Sequence, residues 1–526
     1  MQEPLRESNG MNLLKRGQKG IVHALFSRLG LFVLLLALQV GVLFAVFWWF
    51  GEWLPHYLGA SAVFMVCMVL YLINSNLDPT SKITWLILIM LMPIFGALLF
   101  CFTQSEVGHR AVRARVSHLT QQTRDLLPRN PEAVNHLRKQ APGAAGLATY
   151  VNRSGCYPVY ENTAATYFPV GEEQWDEMLR QLERAKEFIF LEFFIVDEGL
   201  MWGKILETLA RKAGEGVDVR VMYDGTCEFT TLPHDYPKRL QQLGIRCKMF
   251  SPVIPLVSTH YNYRDHRKIM VIDGHTAFTG GVNLADEYIN ATHPFGHWKD
   301  VGVMLRGEAA KSFTLMFLQM WNIDEKEAKF DHFPEVIPPA PGTAPGFVMP
   351  FGDCPLDDDK VGERVYMDIL NRSVKYVHIM TPYLILDGKM ETALKFAAER
   401  GVEVKLILPG IYDKATPYAL AKTHYATLLA SGVEIYEYTP GFVHAKVFVS
   451  DDREAVVGTI NLDYRSLYHH FECAAWMFEA SCVGDIEADF VNTLSKCRRV
   501  TPETIWEGHR MLKPLGYLLK TIAPLM

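Results

Sequence analysis

The chain has 526 residues, too many for one simple core, so we expect two or three domains. Hydrophobic residues make up 49% and charged residues 21%, and the net charge of -6 gives no general signal for nucleic-acid binding. The 9 cysteines are scattered and form no CxxC pair, which indicates reduced thiols and no structural zinc.

Three uncharged apolar runs lie near the N terminus. Runs of this kind are typical of transmembrane helices, and Pro93 and Gly96 predict a kink in the third. Basic residues precede the first run and follow the third, which favours a cytoplasmic position for both flanks and for the catalytic part. Because this requires an even number of crossings, we interpret one run, such as the short second one, as re-entrant or interfacial. The runs are residues 29–50, 58–73 and 83–101.

Strand and helix patterns alternate from Phe188 onward. FIFLEFF predicts an apolar strand, ILETLARKAGEG an amphipathic helix with a glycine stop, and VDVRVMYDG a second strand. The same order returns from Tyr376, where YVHIMTPYLILDG is followed by METALKFAAERG and GVEVKLILPG. The alternation predicts an α/β architecture with a sheet that is parallel at its centre. The duplication predicts two homologous halves.

Each half contains a matched set of polar residues. The first half reads HRKIMVIDGHTAFTGGVN and the second reads HAKVFVSDDREAVVGTIN. A strand places residues two apart on one face, so the His and the Lys of each set point the same way. Recurrence at matched positions excludes a chance pattern of surface polarity. The matched pairs are His266 with His444, Lys268 with Lys446, Asp273 with Asp451, and Asn283 with Asn461.

Two homologous halves that pack about a pseudo-twofold axis would bring both sets to one pocket. Two imidazoles, two ammonium groups and two amides suit a phosphate-type anion that gains charge in its transition state. One imidazole can attack phosphorus while the other protonates the leaving oxygen, and the roles then reverse. We expect no metal and no cofactor, since Lys and Asn stabilise the charge.

Carboxylates are expected to support this chemistry, because a nucleophilic imidazole needs a partner that fixes its tautomer. Asp300 in GHWKD and Glu472 in HHFEC each follow the His of their own half and are the candidates. Asp273 and Asp451 precede turns, where a turn-stabilising role is at least as probable as catalysis. Arg264 shares a strand face with the first His and is a candidate second phosphate contact.

These motifs resemble the phospholipase D superfamily, whose mark is a duplicated HxKxxxxD sequence. The matches are HRKIMVID and HAKVFVSD, with GGVN and GTIN downstream. RDHRKIMVIDG, FTGGVNLADEY, GHWKDVGVML, TPYLILD and VGTINLDYRSLYHHFE further resemble the bacterial cardiolipin synthase subfamily. The chain departs from the pattern at Ala445, where a Ser is frequent, and in the additional run at 29–50.

The resemblance implies two tandem phospholipase D-like α/β/α repeats that form a bilobal pseudo-twofold catalytic domain, preceded by N-terminal transmembrane helices. It implies that one phosphatidylglycerol gives its phosphatidyl group to a His and releases glycerol, and that a second phosphatidylglycerol accepts the group to give cardiolipin. By this analogy His266 is the nucleophile and His444 the acid. The implied partners are phosphatidylglycerol and cardiolipin in the bacterial cytoplasmic membrane, with no nucleic acid.

Two alternatives remain open. The first is a hydrolytic phospholipase D or another phosphatidyltransferase. The second is a nuclease or a nucleic-acid-binding module, against which the apolar runs and the acidic charge argue. The C-terminal residues 508–526 either lie on the membrane surface or pack on the domain. The expected divisions are a cytoplasmic tail (1–28), membrane segments (29–101), a connector with little core character (102–150), the first repeat (151–334), a Pro-rich linker (335–350) and the second repeat with its C-terminal amphipathic segment (351–526).

Overall fold

The part of the chain that the structure, a computed structural model, describes comprises residues 37, 39–42, 44–45, 54–75, 77–104, 109–127, 129–251, 263–330 and 344–525. It divides into two units. The smaller unit contains the described residues of Gln18–Ala111 and Tyr517–Met526. The larger unit contains those of Val112–Pro252 and Asn262–Gly516.

The described helices of the smaller unit are α1 (Leu54–Asn74), α2 (Pro79–Leu91) and α3 (Pro93–Gln104). The predicted run 58–73 lies within α1, and the run 83–101 is divided between α2 and α3. Most of the run 29–50 lies outside the described residues. No helix in the described part of the chain combines enough length and apolarity to cross a membrane.

Local sequence explains why the chain turns between α1 and α2. Asp78 caps α2, since its carboxylate accepts a hydrogen bond from the Ser81 amide at 3.0 Å, and Pro79 occupies the first turn. Trp85 then packs edge-on against Phe100, with ring centroids 5.1 Å apart, in a small apolar cluster.

From Val112 onward, the stretch predicted as a connector belongs to the larger unit and contributes to its core. It forms α4 (His109–Thr123), α5 (Pro131–Gln140) and α6 (Pro142–Gly155). Leu137 and Ala148 are fully buried there. The prediction of little core character is therefore wrong for this stretch, because the apolar faces of these short helices pack against the main hydrophobic cluster.

The first half of the larger unit is built on a seven-stranded sheet in the order β1-β9-β7-β6-β2-β3-β4. Its strands are β1 (Ala164–Phe168), β2 (Phe188–Phe193), β3 (Asp218–Asp224), β4 (Arg246–Phe250), β6 (Lys268–Ile272), β7 (Thr276–Gly280) and β9 (Gly302–Arg306). Two short strands outside this sheet are β5 (Arg264–Asp265) and β8 (His297–Lys299). Its helices are α7 (Gly171–Arg184), α8 (Leu200–Gly214), α9 (Cys227–Thr230), α10 (Tyr236–Gln242) and α11 (Ala310–Trp321).

The second half repeats this plan in the order β10-β17-β16-β15-β11-β12-β13-β18. Its strands are β10 (Phe347–Asp353), β11 (Tyr376–Met380), β12 (Glu403–Pro409), β13 (Glu434–Tyr438), β14 (Gly441–Val443, outside this sheet), β15 (Val447–Ser450), β16 (Glu454–Gly458), β17 (His470–Phe478) and β18 (Cys497–Arg499). Its helices are α12 (Val361–Arg372), α13 (Gly388–Glu399), α14 (Ala415–Ala430), α15 (Tyr464–Tyr468), α16 (Val483–Leu494) and α17 (Leu512–Lys520).

Two details of the predicted architecture need correction. The parallel strands β2, β3 and β4 occupy one end of the first sheet, and its middle strand β6 is antiparallel to both neighbours. The sheet is therefore mixed, because the strand after the crossovers returns as a hairpin partner. The end of the predicted linker 335–350 forms the start of β10, while residues 331–343 lie outside the described part.

The C-terminal segment is only partly buried against the rest of the chain. Gly516 in α17 is buried, and a side chain there would meet the Ala419 carbonyl oxygen. Met511 and Leu518 are exposed. The packing alternative therefore holds for one turn of this helix, and its other face carries exposed apolar side chains.

The motif aspartates Asp273 and Asp451 accept hydrogen bonds from the backbone at the start of the neighbouring strand. Asp273 follows β6, and its carboxylate accepts hydrogen bonds from the amides of Lys186, Glu187 and Phe188 at 2.8–2.9 Å. Its backbone is in the left-handed region, with φ of 48°, which Asp tolerates in tight turns. Asp451 does the same for the amides before β11, at 2.7–2.9 Å.

The HxKxxxxD motif places Asp273 and Asp451 among the candidate catalytic residues, but their contacts favour the turn-stabilising role. Each lies at the opposite end of its strand from the motif His, roughly 20 Å along an extended chain. Their oxygens bind the backbone that starts β2 and β11. Their role is to fix the register of the strands that carry the His and Lys residues.

Asp273→Ala should lower the free energy of unfolding by about 1–3 kcal/mol, because three amides lose their common acceptor. The measurement is a urea titration of the full chain. Asp358→Ala is the control, since the Asp358 side chain is 99% exposed and forms one surface ion pair. Equal stability of the two variants would contradict this role.

Candidate active site

Two short strand pairs connect the halves of the larger unit next to the motif His residues. β5 pairs in parallel with β17, and β8 pairs in parallel with β14. The His266 amide donates to the Phe471 carbonyl at 2.9 Å, and the His444 amide donates to the Lys299 carbonyl at 2.8 Å. Each motif His is thereby held beside the residue that precedes the acidic candidate of the other half.

His266 is oriented by Glu472. Its Nδ1 lies 2.9 and 3.0 Å from the two carboxylate oxygens of Glu472, and both residues are buried. Thr459 donates its hydroxyl hydrogen to the same carboxylate. A proton on Nδ1 that is shared with Glu472 leaves Nε2 with a free lone pair.

His444 is oriented by Asp300. Its Nδ1 lies 2.6 Å from Oδ2 of Asp300, which is fully buried. Gly281 makes room for this aspartate, since a Cβ at this position would lie 1.9 Å from Oδ1 of Asp300. Thr459 is the counterpart of Gly281 in the second half. Its hydroxyl donates a hydrogen bond to Glu472, whose side chain is longer than that of Asp300.

In the structure, the carboxylate of each half is thus bound to the motif His of the other half. Each carboxylate was expected to support the His of its own half, and that pairing is wrong. Glu472 from the second half holds His266, and Asp300 from the first half holds His444. The cause is the exchange of short strands between halves, which moves each acid across the pseudo-twofold axis.

Each motif lysine contacts the motif His of its own half. Lys268 donates to the His266 carbonyl at 2.6 Å, and Lys446 Nζ lies 2.9 Å from His444 Nδ1. Burial lowers the pKa of Lys268 to about 8 and the pKa of Lys446 to about 7. An anion that enters the pocket would favour their charged forms.

Without a bound anion, burial favours the neutral form of both imidazoles. Burial, and then the charges of Lys268 and Lys446, hold the pKa of His266 well below 6.5. Burial, and then Lys446, lower the pKa of His444 to about 4, while Asp300 acts in the opposite direction. Although burial raises the pKa of Asp300, His444 and Lys446 outweigh it, so this pKa is lowered and the group is a carboxylate.

The two motif asparagines differ in their contacts. Asn283 accepts from the Ile195 amide at 3.1 Å and donates to the Tyr288 hydroxyl at 2.8 Å. Asn461 is buried, and its Oδ1 has no hydrogen-bond partner among the described residues. Asn461 is therefore available to a ligand, whereas Asn283 positions its neighbours.

Arg264 is buried and already engaged. It donates to the Ser251 carbonyl at 2.9 Å and lies 3.5 Å from Oδ1 of Asp224. The predicted direct phosphate contact is not supported by this placement, because its guanidinium is directed to these partners. It contributes positive charge behind β5.

Sequence reasoning missed the side chains that surround the imidazoles. His470 lies two residues before Glu472 on one strand, so the shared face was a usable signal. Trp298 stands in the same relation to Asp300. The others depend on tertiary packing and leave no local pattern. The rings of Phe194 and His470 lie 4.9 and 5.4 Å from the His266 ring. The rings of Tyr288 and Trp298 lie 5.4 and 5.5 Å from the His444 ring. The missed residues are these four and Thr459.

One set of side chains could hold a metal ion. The ligand atoms of His266, His470 and Glu472 all lie within 4.8 Å of one another. The Glu472 oxygens already accept hydrogen bonds from His266 and Thr459. His266, Glu472 and Thr459 thus form a hydrogen-bonded network that orients the His266 imidazole, and we assign no step to a metal.

Comparison with known proteins gives consistent results. The family model described as "Cardiolipin synthase, PLD-like domain" matches residues 178–321 and 366–494. An uncharacterized protein of Streptococcus mutans is 54% identical over 467 residues, which cover 88% of this chain and all of that protein. Cardiolipin synthase 2 of Bacillus cereus is 30% identical over 467 residues, which cover 86% of this chain and 90% of that enzyme.

A solved structure shares the fold. The phosphatidylserine synthase of Haemophilus influenzae Rd KW20 aligns with a TM-score of 0.56 at 13% identity. The alignment covers 73% of this chain and all of that chain. The chain therefore has a mixed α/β phospholipase D-like fold with two such segments.

Sulfate should bind between the motif residues at least about tenfold more tightly near pH 6 than near pH 9. The reason is that Lys268 and Lys446 lose their protons over that interval while sulfate keeps its charge. Isothermal titration calorimetry measures the affinity. Lys446→Met should weaken sulfate binding near pH 6 and flatten the pH dependence. An affinity in the wild type that does not change with pH would contradict the assigned lysine charges.

Proposed function

Since the chain belongs to the cardiolipin synthase family of phospholipase D-like enzymes, we propose that it transfers a phosphatidyl group from one phosphatidylglycerol to another and releases glycerol. The observation that carries the proposal is the pair of buried imidazoles, each bound to a carboxylate and each next to a lysine. This set supplies a nucleophile, a proton donor and cations for a phosphodiester.

In the first displacement, we assign the attack on phosphorus to Nε2 of His266. Glu472 holds the Nδ1 proton of this imidazole, so Nε2 is the free nitrogen. His444 acts in its protonated form, which Asp300 stabilises, and gives its Nε2 proton to the departing glycerol oxygen. Lys268 and Lys446 stabilise the charge that builds up on the phosphate oxygens.

The assignment of roles rests on the difference between the two imidazoles. Burial and Lys446 lower the pKa of His444 to about 4, and Asp300 favours its charged form. Burial and the charges of Lys268 and Lys446 hold the pKa of His266 well below 6.5. A neutral His266 with a free Nε2 suits the nucleophile, and a His444 whose charged form Asp300 favours suits the acid.

In the second displacement, the hydroxyl of another phosphatidylglycerol attacks phosphorus. The P–N bond breaks, its electron pair returns to His266, and the hydroxyl proton passes to His444. One phosphodiester replaces another, so no nucleotide is consumed. Phosphatidic acid would form if water replaced the lipid hydroxyl, and burial of the imidazoles limits this side reaction.

We also propose that the smaller unit attaches the enzyme to the bacterial cytoplasmic membrane. Val63, Val66, Leu70 and Ile73 on α1 are exposed apolar side chains, and Leu91 at the end of α2 is 75% exposed. Apolar surface of this extent is costly in water and suits lipid. Basic residues around the apolar runs favour a cytoplasmic catalytic unit.

His266→Asn and His444→Asn should each abolish cardiolipin formation, because each removes one of the two proton-transferring or nucleophilic nitrogens. Purified protein is incubated with phosphatidylglycerol in detergent or liposomes, and the products are measured by lipid mass spectrometry. The wild type should release glycerol and form cardiolipin.

A matched control is His234→Asn, since this imidazole is 81% exposed and lies on the surface next to Glu228. Phosphatidic acid in place of cardiolipin from the wild type would indicate a hydrolase. Near-normal cardiolipin formation by either motif variant would contradict the mechanism.

A further inference from the structure

The pocket is chemically unlike on its two sides, although the two halves are homologous. Beside His266 the β5–β17 pair places Arg264 opposite His470. Beside His444 the β8–β14 pair places Trp298 opposite Phe442. The strand registers make these equivalent positions, so the pseudo-twofold axis relates a polar, basic side to an aromatic one.

A third position shows the same difference in charge. Arg465 follows Asn461 in the second half, and Glu287 follows Asn283 in the first half at the same spacing. Arg465 and Glu287 are therefore equivalent positions. The cations Arg465 and Arg264 thus correspond to Glu287 and Phe442 in the pseudo-twofold relation.

His470 has unused hydrogen-bonding capacity. It is 8% exposed, and neither ring nitrogen has a hydrogen-bond partner in the part of the chain that is described. Its Nδ1 lies 3.6 Å from Oε1 of Glu472, which is too long for a hydrogen bond. A buried polar group without a partner is costly, which points to a ligand that completes it.

Arg465 is the neighbouring cation. It lies in α15, directly before the strand that carries His470, and its carbonyl accepts from the His469 amide at 2.9 Å. Within the described residues its guanidinium forms no ion pair and no side-chain hydrogen bond. Its charge acts on His470, and Arg264 and Asp463 are its charged neighbours.

We propose that His470 and Arg465 form a second anion subsite, which holds the phosphodiester of the acceptor phosphatidylglycerol. This inference rests on the proposed function. The first phosphate occupies the site between the two motif His residues, and the acceptor brings a second one. The His470 ring lies 5.4 Å from the His266 ring. A phosphate bound at His470 is therefore close enough for the glycerol of the same acceptor lipid to reach the phosphorus on His266.

The subsite would explain how a lipid hydroxyl competes with water. Water, free glycerol and the acceptor lipid all present a hydroxyl, but only the acceptor carries its own phosphate. A phosphate held at His470 and Arg465 would raise the local concentration of the attached hydroxyl. His470 donates a hydrogen bond to the phosphate, and Arg465 supplies the balancing charge.

The test compares two reactions of the same donor, phosphatidylglycerol in mixed micelles. One is cardiolipin formation, and the other is exchange of isotopically labelled glycerol into phosphatidylglycerol, which needs no acceptor phosphate. In His470→Asn and in Arg465→Gln, cardiolipin formation should fall about tenfold or more, as expected for loss of a hydrogen bond to a charged group. Glycerol exchange should stay near the wild-type rate.

Arg465→Lys should recover most cardiolipin formation, because it keeps the charge. His234→Asn and Arg180→Gln, both at exposed side chains, are the controls. An equal loss of both reactions in both variants, or an unchanged ratio between them, would overturn the subsite. If the wild type catalysed neither reaction, the proposed function would fail, and the subsite with it.

Discussion

The exchange of short strands between the two halves is the constraint on which the site depends. His266 donates its amide to the carbonyl of Phe471, and the adjacent Glu472 then meets the imidazole. The mirrored exchange brings Asp300 to His444. Neither half alone supplies both a motif imidazole and its carboxylate partner, so both copies must fold together before either motif imidazole is oriented. The repeat is thus a requirement for the chemistry and not simply two sites side by side.

The pocket concentrates charges that burial disfavours. The two lysines, with Asp300 and Glu472, are nearly without solvent contact, and charges in such a place are costly unless they are paired. The outcome here is neutral imidazoles and weakened lysine basicity. Such a pocket is prepared for an anion, since a phosphate compensates the ammonium groups while a neutral His266 retains the lone pair that attack requires.

Much of this was predictable from sequence, for identifiable reasons. The shared strand face and the recurrence of HxK predicted that the His and Lys residues meet in one pocket, and the repeat predicted two related α/β sheets. The partner of each His was not predictable, because a near-symmetric sequence does not reveal strands exchanged between halves. The motif aspartates could have been assigned correctly, since the length of a strand already separates Asp273 from His266. His470 was missed although it shares a strand face with Glu472, two residues further along.

The most direct test of the crossed pairing is nitrogen-15 NMR of histidine side chains in the full chain, compared between the wild type and Glu472→Gln. The signals of His266 and His444 are assigned from the single His→Asn variants. Glu472→Gln should change the Nδ1 and Nε2 shifts of His266, because the amide no longer fixes its tautomer, and should leave those of His444 in place. A response at His444 with none at His266 would contradict the crossed pairing and the mechanism built on it.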